Sequence, residues 1–215
     1  MSVPAREESS GRAAVLLLLE RLHRHKDAAY GDAWRKRGEV IAIFANMARK
    51  YDRLFVAFTE DRAAASEALA DTVADLCVYA AKYLTWIADE HPVALDQADL
   101  PVESVHISAA RGADAVRDVL AALLDVPADV PRDADDAWAR IQSSFVALEQ
   151  ALMAQATPGA GTARVLPYPS KAQLAWRLSQ DSLSLLVYLE DRDPTSLAKL
   201  RGEVSAMDAA NAHDW

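Results

Sequence analysis

An all-α fold follows from three features of the sequence. Apolar residues recur at three- and four-residue intervals over long segments, no run alternates with period two beyond a few residues, and β-branched residues are sparse. The 215 residues include 52% apolar side chains, enough for one substantial core or two small ones. Together these features predict an antiparallel bundle of about seven helices.

Taken in order, Ser9 or Ser10 is placed to cap a first helix that runs to about His25, with Ala14, Leu17, Leu18 and Leu22 at helical spacing. Tyr30-Gly31-Asp32-Ala33-Trp34 reads as a short structured loop, because Gly31 permits a turn that a Cβ would resist. A second helix is expected over about 36–58, with Val40, Phe44, Met47, Tyr51, Leu54 and Phe58 on its core stripe. A third is expected over about 63–89 and turns Leu69, Val73, Leu76, Ala80, Tyr83 and Ile87 inward. From His91 to Pro101 the periodicity fails, and Pro92 and Pro101 punctuate an acidic connector. That connector divides the chain into a helical core at 1–100 and a C-terminal helical half at 101–215. Further helices are expected at about 109–125, 134–156, 170–190 and 195–210, separated by proline-bearing loops.

The two halves echo each other weakly. Asp32-Ala33-Trp34 recurs as Asp136-Ala137-Trp138, and Asp71-Thr72-Val73-Ala74 resembles Asp181-Ser182-Leu183-Ser184. One reading is a degenerate tandem repeat of a three-helix unit, each copy being helix, loop with Asp-Ala-Trp, helix, loop, helix, with the second packing on the first as a second subunit would. Coincidence in alanine-rich helices is the other.

A net charge of −9 argues against a broad basic surface for duplex nucleic acid, while a local cationic cluster can still serve a small phosphorylated ligand. The single cysteine, Cys77, excludes an internal disulfide and a thiolate metal cluster, which fits a reducing cytoplasm. The longest apolar run near the start, Ala13 to Leu19, is too short to span a bilayer and follows Glu7 and Glu8 rather than a basic leader. The expectation is a cytoplasmic protein without a membrane partner.

Two polar stripes carry the chemistry. At about 100° per residue, Glu39, Asn46, Lys50 and Arg53 fall within about 60° of one another on the second helix. An acid, an amide and two cations in line suit contact with a nucleotide, or form an ordinary solvated face. On the third helix Glu67, Asp71, Asp75 and Lys82 line a sector apart from the core. Like charges at i, i+4 and i+8 disfavour an isolated helix, so something should offset them. Mg²⁺ with substrate phosphates is one candidate, and Lys50, Arg53 or Lys82 pairing directly with the acids is another. Lys26 reads either as a phosphate contact or as a helix C-terminal charge, and Tyr30 and Trp34 either as stacking platforms or as core plugs.

The stretch from about Leu16 to Trp86 resembles the all-α nucleoside triphosphate pyrophosphohydrolases (MazG-like), and most of all the nucleotide modification associated domain 1 proteins common in phages. The likeness lies in Lys26 followed by Tyr30-Gly31-Asp32-Ala33-Trp34, an asparagine and basic residues ahead of Arg53-Leu54, then Glu67, Asp71-Thr72 and Asp75-Leu76 with Tyr79. The resemblance implies a helical bundle, often dimeric, in which acids of two adjacent helices hold Mg²⁺ on a nucleotide's phosphates. Hydrolysis to monophosphate and pyrophosphate by a metal-activated water would then use Asp71 and Asp75 as first metal ligands. Glu67 and Glu39 would complete the shell or position the water, and Lys50 and Arg53 would stabilise phosphate charge. Asn46 would meet sugar or base, with Lys26, Tyr30, Trp34 and Lys82 as further substrate contacts.

This chain departs from that pattern. Glu39 stands alone where two glutamates three apart are usual, and Glu67 lies four residues before Asp71 because position 68 is alanine. The alternative function is therefore a non-catalytic helical module that binds a nucleotide or a protein, as a homodimer or an internal pseudo-dimer. Elsewhere, His23, His25, His91, His106 and His213 lack metal-ligand spacing and read as surface residues. Cys77 reads as a buried structural thiol, and Trp138 and Trp176 as packing residues.

Overall fold

The apolar stripes form helices in the computed structural model, which describes residues 5–59, 66–101, 112–126, 129–153 and 166–212 and holds no strand among them. Helix α1 spans Ala5–Tyr30, α2 Ala45–Thr59, α3 Ser66–Glu90, α4 Pro92–Asp96, α5 Gly112–Ala122, α6 Ala134–Met153, α7 Tyr168–Arg192 and α8 Ala198–Ala212. A 3₁₀ turn at Gly31–Trp34 follows α1, a π-helical segment at Glu39–Phe44 leads into α2, and a second 3₁₀ turn at Pro194–Leu197 leads into α8. Among the described residues, no helix is long and apolar enough to cross a membrane.

Three expectations about the elements need correction. Helix α1 passes His25 and continues to Tyr30, because its helical stop is Gly31 in the left-handed region at φ 51°. The connector after His91 contains the short helix α4, with Pro92 in its first turn, where a missing N–H costs nothing. Asp136-Ala137-Trp138 forms the first turn of α6, whereas Asp32-Ala33-Trp34 lies in the 3₁₀ turn ahead of α2, so the echoed tripeptides serve different elements. The central helices α3 and α7 are both 25 residues long.

The core is centred on α3 against α7, with α2 packed on α3 and α6 on α7. The two central helices meet closely: the Cys77 thiol lies 3.5 Å from the Ser179 carbonyl oxygen, and Ala74 and Ala81 of α3 and Ala172 and Ala175 of α7 are all buried. Cys77 is fully buried, as its helical position predicts, and burial pushes its thiol pKa up to about 12. Between α2 and α6 the contact is aromatic. Tyr51 stacks on Phe145 at 4.0 Å and on Trp138 at 5.4 Å, and Phe58 stacks on Trp138 at 5.0 Å. Trp138 and Trp176 are thus packing residues, both buried.

Glu39 is drawn into this core. Its Oε1 accepts from the Tyr83 hydroxyl and from Lys171 Nζ at 3.1 Å, and Lys171 is 0% exposed. The same Nζ lies 4.4 Å above the Tyr168 ring. Burial and then Glu39 push the Tyr83 hydroxyl pKa up, so Tyr83 remains a donor to the carboxylate. Because removing one partner strands the other charge, Lys171→Met should lower the unfolding free energy in urea by about 3–5 kcal/mol. The double variant Glu39→Gln, Lys171→Met should recover part of that loss, and a double variant no more stable than Lys171→Met would show the pair to be uncoupled.

Candidate functional site

The polar site begins at the C-terminal end of α1, where His23 and Lys26 share a face by their three-residue spacing. Gly31 reverses the chain there, and the 3₁₀ turn sets Trp34 against α3. Arg35 fastens that turn through an ion pair with Asp89 at 2.6 Å. Gly38, at φ 76°, makes a second left-handed step into the π segment. Helix α2 then contributes Asn46, Arg49 and Lys50, and α3 contributes Asp75, Val78, Tyr79 and Lys82. These groups enclose a cavity of about 410 Å³.

Its electrostatics are dominated by cations. Among the described lining residues, Lys26, Arg49, Lys50 and Lys82 face one carboxylate, Asp75. Lys26 Nζ donates to Asp75 Oδ1 at 2.5 Å and Lys50 Nζ donates to Oδ2. Burial alone would raise the Asp75 pKa, but Lys26 and Lys50 more than offset it and hold the carboxyl below its ordinary value. Lys82 is 7% exposed, and its Nζ lies 5.0 Å from the centre of the Trp34 ring and 5.4 Å from that of Tyr79. Asn46 bonds the Ala42 carbonyl and accepts from Arg49.

Of the residues singled out from sequence, Lys26, Trp34, Asn46, Lys50, Asp75 and Lys82 therefore come together. Glu39, Arg53 and Asp71 do not join them. The π segment takes more residues per revolution than an α-helix, which breaks the angular relation between Glu39 and the Asn46–Lys50 stripe and delivers Glu39 to Lys171 instead. Arg53 is exposed on α2, outside the cavity lining. Asp71 meets Lys199 of α8 at 3.4 Å, and its Oδ1 is buried without a hydrogen-bond partner. The side chains of Tyr30 and Glu67 lie outside the described residues, as do His106 and His213. Among the described residues, no three His, Cys, Asp or Glu side chains gather as a metal cage.

His23 corrects the expectation of a surface position. His23 is 2% exposed and lines the cavity, with both ring nitrogens buried and unpartnered. His25 contacts Asp208 at 2.8 Å, and His91 stacks on Tyr168 at 3.5 Å. Burial, with Lys82 and Lys26 nearby, lowers the His23 pKa to about 3, so the ring is neutral. Its imidazole therefore offers one donor and one acceptor, and the Trp34 indole N–H is likewise buried and unpartnered. Helical spacing from Lys26 signals His23, whereas Arg49 falls about 80° from Glu39 at α-helical geometry and so outside the stripe of Asn46 and Lys50.

No family model, curated protein or solved structure matches this chain.

The neutral His23 gives stability a sign with pH. The unfolded chain takes up a proton near pH 6.5 and the folded chain only near 3, so stability present above 6.5 is lost as the pH falls through that window. His23→Gln should flatten urea midpoints measured between pH 7 and 5, removing up to about 1.4 kcal/mol of loss per pH unit. Parallel curves for the two proteins would contradict the neutral ring.

Proposed function

We propose that this cavity binds a nucleotide through its phosphates, and that the chain acts as a nucleotide-binding module. The observation that carries the reading is that, among the described residues, four cationic side chains line the cavity with one carboxylate, which two of them engage. A ligand bearing several negative charges is the chemistry such a cavity favours, since it replaces one shared carboxylate with more acceptors for the same lysines. Trp34 and Tyr79 add aromatic surface for a planar ring, and neutral His23 adds a donor and an acceptor for a polar ring edge. The likeness of residues 16–86 to nucleoside triphosphate pyrophosphohydrolases points to the same ligand class.

Mg²⁺-dependent hydrolysis is the second reading, favoured by the Asp71–Asp75 spacing on a helix beside the cations. The described donors do not fit that ion: Asp75 is bound by Lys26 and Lys50, Asp71 faces Lys199, and Glu39 faces Lys171.

Titration calorimetry with nucleoside tri-, di- and monophosphates and the free nucleoside tests the binding reading. Affinity should fall with each phosphate removed, and Lys50→Met should weaken triphosphate binding by about tenfold or more. Absence of binding by any nucleotide, or unchanged affinity in both Lys50→Met and Arg49→Met, would sink it. Pyrophosphate release with Mg²⁺ in the wild type but not in Asp75→Asn would instead establish the hydrolytic reading.

A further inference from the structure

Away from the Lys26–Lys82 cavity, the C-terminal half carries a groove of two adjoining chambers. The larger, about 460 Å³, lies along α6 and α7 and is polar, with Ser143, Ser144, Gln180 and Asp181 beside Arg140 and Arg177. The smaller, about 210 Å³, is walled by Val130, Pro131, Leu183, Val187 and Tyr188, and Asp191 and Arg192 also line it. Arg12 of α1, Asp129 and Ser184 line both chambers and so mark their junction.

Arg12 is the unusual group. It is 8% exposed, and one Nη donates to the Leu123 carbonyl at 2.6 Å, but its Nε is buried without a hydrogen-bond partner. Asp129, the acid that shares the junction, is engaged by Arg140 at 2.7 Å, and Arg140 also bonds Asp136 at 2.9 Å. Arg12 makes no ion pair among the described residues. Burial lowers its pKa, which records the cost of a guanidinium kept from water without a carboxylate. An anion supplied from the groove would offset that cost through the guanidinium charge.

The two chambers define what else the anion carries. Asp181 accepts from Ser144, and burial raises its pKa. Arg177 is exposed at the mouth of the polar chamber. We propose that the groove is a second binding site for an elongated amphipathic carboxylate. Its carboxylate lies on Arg12 at the junction, its apolar chain runs along Val130, Pro131 and Val187, and a hydroxyl- or amide-bearing portion lies among Ser143, Ser144 and Gln180. This site shares no lining residue with the nucleotide cavity and stands or falls apart from it.

The test uses the full chain and three probes, octanoate, N-octanoylserine and octanol, titrated by calorimetry. Octanoate should bind saturably at one site, N-octanoylserine at least as tightly, and octanol at least tenfold more weakly. Arg12→Gln should remove most of the octanoate affinity and leave nucleotide titrations unchanged. If Arg12→Gln does not fold, two variants at less buried positions decide: Arg177→Gln should weaken N-octanoylserine several-fold, and Val187→Trp should block both carboxylates by filling the apolar chamber. No saturable carboxylate binding, equal binding of octanol and octanoate, or unchanged affinity in every folded variant would overturn the proposal.

Discussion

The close contact of α3 with α7 is the constraint on which the remaining structure depends. Small residues on both helices, with Cys77 against the Ser179 carbonyl, bring the two backbones together and bury α3 over most of its circumference. A helix in that position leaves little water for its charged residues, so each must find a partner or a cavity. Asp75 finds Lys26 and Lys50, Asp71 finds Lys199, and Lys82 finds the faces of Trp34 and Tyr79. The cationic cavity is thus a consequence of the packing: charges on a central helix collect opposite charges from α1, α2 and α8, and among the described lining residues cations outnumber carboxylates.

The helices were legible because burial imposes a 3.6-residue period on composition, and α3 shows it most plainly, with Val73, Leu76, Ala80, Tyr83 and Ile87 all buried where spacing places them. The site was legible only in part. Lys26, Asn46, Lys50 and Asp75 could be found because each pairs with a neighbour one turn or one helix away. Two things hid the remainder. The π segment changes the angular step at Glu39, which no local pattern announced, and the partners of Glu39 and Asp71 come from 132 and 128 residues further along, in Lys171 and Lys199. Acids at four-residue spacing look like a shared cation site when read along one helix. Three-dimensional packing instead hands Asp71 and Asp75 to different lysines.

Lys171 shows the same limit from the other side. A lysine near the start of a helix ordinarily reads as solvated, and nothing in its neighbours, Ser170 and Ala172, marks it as 0% exposed. Its burial makes sense only together with Glu39, Tyr83 and Tyr168, which surround it with an anion, a hydroxyl and a ring face. This group ties the π segment to α7, and therefore ties one wall of the first half to the central helix of the second.

The two halves also carry a comparison that bears on their chemistry. In each, an aspartate of the central helix faces the flanking helix across a cavity: Asp75 toward Lys50 of α2, and Asp181 toward Ser144 of α6. Lysines offset the burial of Asp75 and hold its pKa below the usual carboxylate value, whereas a hydroxyl is too weak to do so and burial raises that of Asp181. The first arrangement leaves an ionised acid that competes with any anion for the same lysines, so entry of a ligand there is an exchange of partners. The second sets an aspartate bonded to a hydroxyl in a groove that Arg12 also lines, so no described lysine there would have to exchange partners for a ligand to enter. Similar helical frames can therefore hold their aspartates in different electrostatic surroundings, because the residue opposite each one decides whether burial or a cation dominates.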